Sequence, residues 1–186
     1  MNKAAIIERL EASPVIAAVK DKLFESALRS PADVIFLFGA DIMTVEDRIH
    51  QAHKAEKYLF IHIDLTEGIG KDKAGLRFLS ACGADGILST KTSLIRLAKE
   101  LQMVTVQRFF AYDSQGVESI DEVLRSSTPD IIEIMPGVID KIIRRFSSGS
   151  IPLIAGGLIE TKAEVTGALR CGAIAVSTGK QELWSV

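Results

Sequence analysis

IAGGLIETKAEV (Ile154–Val165) breaks an apolar run at two adjacent glycines and resumes with helical spacing. A glycine pair at such a point either makes an ordinary turn or lets the backbone come close to a ligand. The run before it, IPLIA (151–155), reads as a short strand. The segment after it, TKAEVTGALR (161–170), repeats apolar residues as an amphipathic helix does. Strand, glycine turn and helix form one unit, and the rest of the chain repeats it.

Seven further β-rich runs mark the sequence: VIAAV (15–19), DVIFLF (33–38), YLFIHID (58–64), DGILS (85–89), MVTVQRF (103–109), DIIEIM (130–135) and AIAVS (173–177). Each interval between runs leaves room for one crossover helix, which parallel strands require. Helical spacing is visible in DKLFESALRS (21–30), TVEDRIHQAHKAEK (44–57), TSLIRLAKEL (92–101), SIDEVLRSS (119–127) and GVIDKIIRRF (137–146). Thr44 is the expected N-cap of the second of these, with Asp47 three residues on. The expected fold is a compact α/β TIM-type (β/α)8 barrel, short of the usual length of about 250 residues. A doubly wound open sheet is the structural alternative. After the eighth run only GKQELWSV remains, too little for a full outer helix. NKAAIIERLEA (2–12) has helical spacing at Ile6, Ile7 and Leu10 and is expected to fill that gap. The echo between CGADGILST (82–90) and CGAIAVST (171–178), four units apart, suits a barrel of two related halves.

The 186 residues fit a single domain spanning 1–186, with no linker or low-complexity tract. Hydrophobic residues make up 47% and charged residues 25%, an ordinary soluble composition. No apolar run is long enough for a bilayer, and the N-terminal segment, with Glu8 and Glu11, does not read as a secretory signal. Cys82 and Cys171 lack metal-ligand spacing and read as reduced thiols, so a cytoplasmic location is expected. A net charge of −2 gives no broad support for nucleic-acid binding. An RNA partner would need a local patch or a homo-oligomer.

In a barrel the strand C-termini form the site. The glycine pair Gly156 and Gly157 after strand seven, with Ser177, Thr178 and Gly179 at the end of strand eight, stands where such barrels hold phosphate. STGKQELW would supply a short helix aimed at the anion. Strand parity turns Phe60, His62 and Asp64 inward, with Glu133 on strand six. On strand five it is read with Val104 and Val106 outward, leaving Thr105 and Gln107 inside and Arg108 turned outward unless the strand ends there. Lys20, Asp64, Gln107 and Glu133 then ring the mouth. They either bridge one another or bind a ligand, the carboxylates and amide suiting hydroxyls and Lys20 an anion. GIGKDK (68–73) lacks the spacing of a nucleotide P-loop and reads as a mobile loop over the mouth. His50 and His53 read as a solvated helix face rather than a metal site. Ser177 has no evident histidine partner for nucleophilic hydrolysis. No cofactor is expected. Lys141, Arg144 and Arg145 form a basic stripe, either a solvated face or a contact for RNA phosphates.

The motifs PVIAAVKD (14–21), FLFGADI (36–42), HIDLTEGIGKDKAG (62–75), GADGILSTK (83–91), QRFFAYDS (107–114), EIMPGV (133–138), LIAGGLI (153–159) and AVSTG (175–179) together give the chain its resemblance to the glycerol uptake operon antiterminators. The resemblance covers essentially the whole chain. It implies a barrel that senses glycerol 3-phosphate, binds leader mRNA and promotes transcription antitermination of glycerol-utilisation genes without catalysis. Under it, the GG and STG backbones hold the phosphate, and Asp64, Glu133 and Gln107 or Lys20 hold the glycerol hydroxyls. Phe110 and Tyr112 become possible stacking platforms for RNA, and loops 65–73 and 110–116 the segments that ligand would order. The competing reading is an isomerase, aldolase or synthase of a small phosphorylated substrate. There Lys20 or Lys91 would form a Schiff base and Asp64 or Glu133 would act as base.

Overall fold

In the computed structural model, which describes residues 3–186, eight parallel strands close into a barrel in chain order. They are β1 (Val15–Lys20), β2 (Val34–Phe38), β3 (Tyr58–His62), β4 (Gly86–Ser89), β5 (Val104–Phe110), β6 (Ile131–Met135), β7 (Leu153–Gly156) and β8 (Ala175–Thr178). The pairing of Val15 with Val176 and of Ala17 with Thr178 joins the last strand to the first. An open sheet is thereby excluded.

Helices alternate with these strands. α1 (Lys3–Ala12) precedes β1, and α2 (Phe24–Arg29) follows it. α3 (Val45–Lys54), α4 (Lys73–Ala81), α5 (Thr92–Glu100), α6 (Ser114–Ser127), α7 (Asp140–Ser147) and α8 (Lys162–Arg170) follow β2 to β7 in turn. α8 starts at a complete capping box: Thr161 Oγ1 accepts from the Glu164 N–H, and Glu164 Oε2 accepts from the Thr161 N–H. At α3 the expected cap is not made, since the Thr44 hydroxyl makes no bond to the helix N-terminus. The repeated CGA motif marks equivalent corners. Cys82 and Cys171 cap α4 and α8, and Gly83 and Gly172 turn the chain into β4 and β8.

The strands are buried on both faces, which produces two cores. Outward residues such as Ile35, Leu59, Ile61, Ile132, Ile134 and Val176 pack against the helices. Inward residues such as Ile16, Phe36, Phe60, Leu88, Val106 and Ile154 fill the barrel. This inner cluster also contains Ile6 and Leu10 of α1. Lys3 reaches Asp130 before β6, while Arg9 reaches Asp33 before β2, on the opposite side of the ring. The N-terminal helix therefore lies across the barrel's bottom and seals its interior. It does not take the eighth place in the outer ring, which corrects the expectation from sequence. Asn2, which that segment included, lies outside the described residues. The eighth place is closed by a 3₁₀ turn, Gln181–Leu183. Leu183 and Trp184 are buried there, and the Trp184 indole N–H donates to the Thr178 carbonyl at 2.9 Å.

Candidate functional site

The bottom is plugged, so the barrel opens only at the C-terminal ends of its strands. A cleft of ≈ 630 Å³ lies there, in the size range of small-ligand sites. The loops after β7 and β8 form one wall, through Gly157–Glu160 and Ser177–Lys180. Ala18 and Lys20 of β1, Phe38 of β2 and Arg108 of β5 form the other.

The two glycines after β7 have different physical reasons. A Cβ on Gly156 would stand 2.5 Å from Glu133 Oε1 and 2.7 Å from Ser177 Oγ. Gly156 therefore makes room for a buried polar pair instead of approaching a ligand. Gly157 has φ +73°, a conformation that favours glycine, and lines the cleft. Among the described residues the N–H groups of Gly157, Leu158 and Gly179 donate no hydrogen bond. Such unpaired donors suit an anion. The side chains at the end of β8 are already engaged. The Ser177 hydroxyl donates to Glu133, and the Thr178 hydroxyl donates to the Ile159 carbonyl at 2.8 Å while accepting from Lys180 N–H at 3.1 Å. Backbone, not hydroxyl, is what this wall offers. The expected short helix after STG is only the 3₁₀ turn.

Glu133 is inward and fully buried, as its parity predicts. Its two oxygens are bound separately, one by Ser177 and the other by Arg108 Nε at 2.6 Å. The strand-five parity is the reverse of the expected one. Val104 and Val106 belong to the barrel interior, so Arg108 points inward. Gln107 is buried on the outer face, donating to Thr92 Oγ1 of α5 at 3.3 Å, and is not at the mouth. Alternation fixes which residues share a face, but a strand with apolar surroundings on both sides does not say which face is inside. A signal was present nonetheless. A buried carboxylate needs a partner, and Arg108 is the cation directly across from Glu133 in the β5–β6 register. Only Nε of Arg108 is engaged by a hydrogen bond. Its terminal amino groups donate none among the described residues, and the guanidinium lies 5.1 Å from the Phe38 ring centroid.

Asp64 sits in a 3₁₀ turn after β3 and its carboxylate is fully occupied. It accepts from Ser89 Oγ at 2.7 Å, Thr90 N–H at 2.7 Å and Thr90 Oγ1 at 2.8 Å. Burial alone would push its carboxyl up, but these bonds outweigh burial and hold it below the usual value. Asp64 thus pins the β4–α5 corner and does not line the cleft. His62 is inward and buried, its Nδ1 without a hydrogen bond. Burial, reinforced by the Arg108 charge, lowers its pKa and favours the neutral ring.

The 65–73 segment, of which 68–73 is expected to be a mobile loop, is tied to the loop after β2 through Glu67. Glu67 N–H donates to Ala40 O, Ile42 N–H donates to Glu67 O, and Lys71 Nζ bonds back to Thr66 O. His53 pairs with Asp85 at 3.0 Å at the barrel's bottom. On α7, Lys141 and Arg145 line a second cleft beside Tyr112, whereas Arg144 lies toward Cys171 at the end of α8. No helix among the described residues is long and apolar enough to cross a membrane.

The cleft combines free backbone donors with Lys20 and the unused amino groups of Arg108, at a place where barrels hold phosphates. Comparisons with known proteins place the chain in a family. The chain is 34% identical over 184 residues to the uncharacterized protein YgcP of Escherichia coli K12, covering 97% of this chain and 96% of that protein. The crystal structure of a glycerol uptake operon antiterminator regulatory protein from Listeria monocytogenes has a TM-score of 0.87 at 31% identity, covering 92% and 94% of the two chains. A glycerol uptake operon antiterminator-related protein from Thermotoga maritima gives 0.83 at 30% identity, covering 92% and 98%. An aldolase matches with a TM-score of 0.71 but only 11% identity, a likeness of fold alone. The family model for the glycerol-3-phosphate responsive antiterminators matches residues 15–184, and the chain belongs to that family.

Proposed function

We propose that this protein is a non-catalytic, cytoplasmic sensor. It binds glycerol 3-phosphate at the barrel mouth and, in that state, binds leader mRNA and promotes antitermination of glycerol-utilisation genes, with residues 1–186 acting as one unit. The observation that carries the reading is the cleft itself. Gly157, Leu158 and Gly179, whose N–H groups donate no hydrogen bond among the described residues, line the same cleft as Lys20 and Arg108, in a chain whose family is described by its response to this ligand. The phosphate is held by those N–H groups and by Lys20. Gly156, Ser177 and Thr178 build the frame that keeps the two loops in place. Arg108, oriented by Glu133, meets the glycerol hydroxyls. Asp64 and Gln107 act on the frame and not on the ligand.

Ligand binding must favour one conformation over another to act as a signal. The loops around the mouth, 65–73 and 110–116, are the elements that respond in this reading. Thermal-shift measurements with glycerol 3-phosphate, glycerol and inorganic phosphate test the site. A ligand at a hundred times its Kd stabilises by about 2.7 kcal/mol. Stabilisation by the phosphorylated triol well beyond either fragment is the expected result. Equal stabilisation by inorganic phosphate, or none by any of the three, overturns the reading. Borohydride trapping with a triose phosphate tests the aldolase alternative, and a covalent lysine adduct would replace this proposal.

A further inference from the structure

The large hydrophobic residues that stand exposed are unevenly placed. Among the described residues, apart from Val186 they lie at or just beyond the strand C-termini: Ile42, Met43, Leu65, Phe110, Tyr112, Val138 and Leu158. Among them the Phe110 and Tyr112 rings stack in parallel, with centroids 5.3 Å apart and planes 3° from coplanar. Tyr112 is 79% exposed. Its ring is held by Phe110 on one face, and it borders a cleft of ≈ 450 Å³ between α6 and α7. The buried residues Ala111 and Val117 contribute its apolar lining, and Lys141 and Arg145 of α7 stand across from Tyr112. Arg145 is paired with Asp121 at 2.8 Å, and the cleft is also lined by two acidic residues, Asp113, whose carboxylate accepts from the Gly116 N–H at 2.7 Å, and Glu118. Among the described residues Lys141 has neither an ion-pair nor a hydrogen-bond partner, so it is the cleft's free cation.

We propose that this α6–α7 cleft holds a nucleotide of single-stranded RNA, with its base stacked on Tyr112 and its phosphate at Lys141. The inference rests on the RNA-binding reading above and names where that contact is made. An aromatic ring fixed in place before binding loses little freedom when a base stacks on it, and stacking accepts any base. A single free cation beside one platform fits one nucleotide better than the broad apolar face of a second protein copy. The cleft adjoins the effector site through β5, which carries Arg108 at one cleft and Phe110 beside the other. The Ala111 N–H also donates to the carbonyl of Met135, which lines the effector cleft, at 2.8 Å.

The test uses the full chain, a fluorescently labelled eight-nucleotide single-stranded RNA of mixed sequence, and anisotropy with and without glycerol 3-phosphate. Tyr112→Ala should weaken binding roughly 5- to 150-fold, the range of one base–aromatic stack, while Tyr112→Phe, which keeps the ring, should stay near wild type. Lys141→Gln should reduce the salt slope by about 0.7, the value of one single-strand phosphate. The exposed Arg29→Gln, at the other end of the barrel, serves as the charge control. Equal affinity for Tyr112→Ala and wild type overturns this cleft assignment and leaves ligand-gated RNA binding standing. A wild type that binds this RNA under neither condition overturns the cleft assignment, since a stacking platform accepts any base, and leaves leader-mRNA binding to the leader itself. Conversion of a dimer to a monomer by Tyr112→Ala, read by sedimentation, would identify the cleft as a subunit contact and overturn the assignment.

Discussion

Replacing Arg108 by Met removes the sole charged partner of a carboxylate that has no contact with solvent. Glu133 is 0% exposed and Arg108 only 10%, and their contact is 2.6 Å. Removing one member of a buried pair costs about 3–5 kcal/mol, mostly because the remaining charge is left uncompensated. For a protein of this size each kcal/mol shifts Tm by about 2–4 °C, so Arg108→Met should melt roughly 6–20 °C lower. Glu133→Gln should cost less. An amide can still accept from Ser177, and Arg108 borders the open cleft, where water can reach its freed Nε. We expect about 1–2 kcal/mol, the scale of a lost hydrogen bond. In Arg108→Met/Glu133→Gln neither charge is left behind, and a neutral replacement of a buried pair is often tolerated. The double variant should therefore be more stable than Arg108→Met alone, with a coupling of about 2 kcal/mol or more. Urea denaturation followed by circular dichroism gives all corners of the cycle. If the two single losses add to within about 0.5 kcal/mol, the residues behave as independent sites, and the buried pair is not what orients Arg108. Wild-type melting of Arg108→Met would refute the reasoning equally.

Two more outcomes follow from the same geometry. His62 has a folded pKa below its unfolded value of about 6.5. Above about 6.5 both states hold the neutral ring and stability is unaffected. Below that, the unfolded chain takes up a proton that the folded one does not, and stability falls until the lower folded pKa is reached. His62→Gln should remove that part of the stability–pH slope in urea titrations, and an unchanged slope would count against a buried neutral His62. Asp64→Asn should cost about 1–3 kcal/mol through loss of charge-assisted bonds to Ser89 and Thr90. The wild-type contribution is present above the unfolded carboxyl pKa of about 3.9 and disappears as pH falls through the lower folded value. Glycerol 3-phosphate affinity should change little, and loss of ligand binding without loss of stability would return Asp64 to the cleft.

Most of the architecture was legible because alternation of short strands and helices leaves few alternatives, and register closed the ring where the motif pattern predicted. The helix at the N-terminus was legible as a helix but not in position. An amphipathic helix can satisfy its apolar face equally in the outer ring or across the open bottom, and the choice depends on Ile6 and Leu10 meeting Ile16 and Phe36. The same limit applies to β5. Thr105, Gln107 and Phe109 share one face and Val104, Val106 and Arg108 the other, but neither set is polar enough to declare itself exposed. Asp64 illustrates a different gap. Sequence supplies a carboxylate near a mouth, while only the fold reveals that Ser89 and Thr90 already occupy it. Gly157 has the positive φ that favours glycine and lines the cleft, whereas Gly156 is explained by the Glu133–Ser177 contact packed over it.

The central claim is that the ligand at the mouth governs RNA binding, and one comparison tests it directly. The affinity of the purified chain for the leader RNA of glycerol-utilisation genes is measured by anisotropy at fixed salt. It is read without ligand and with glycerol 3-phosphate at a concentration that saturates the thermal shift. Coupling between two sites is typically 1–3 kcal/mol, so the account predicts RNA binding about 5- to 150-fold tighter with the ligand bound. An identical affinity in the two conditions, with the ligand demonstrably bound, would contradict it.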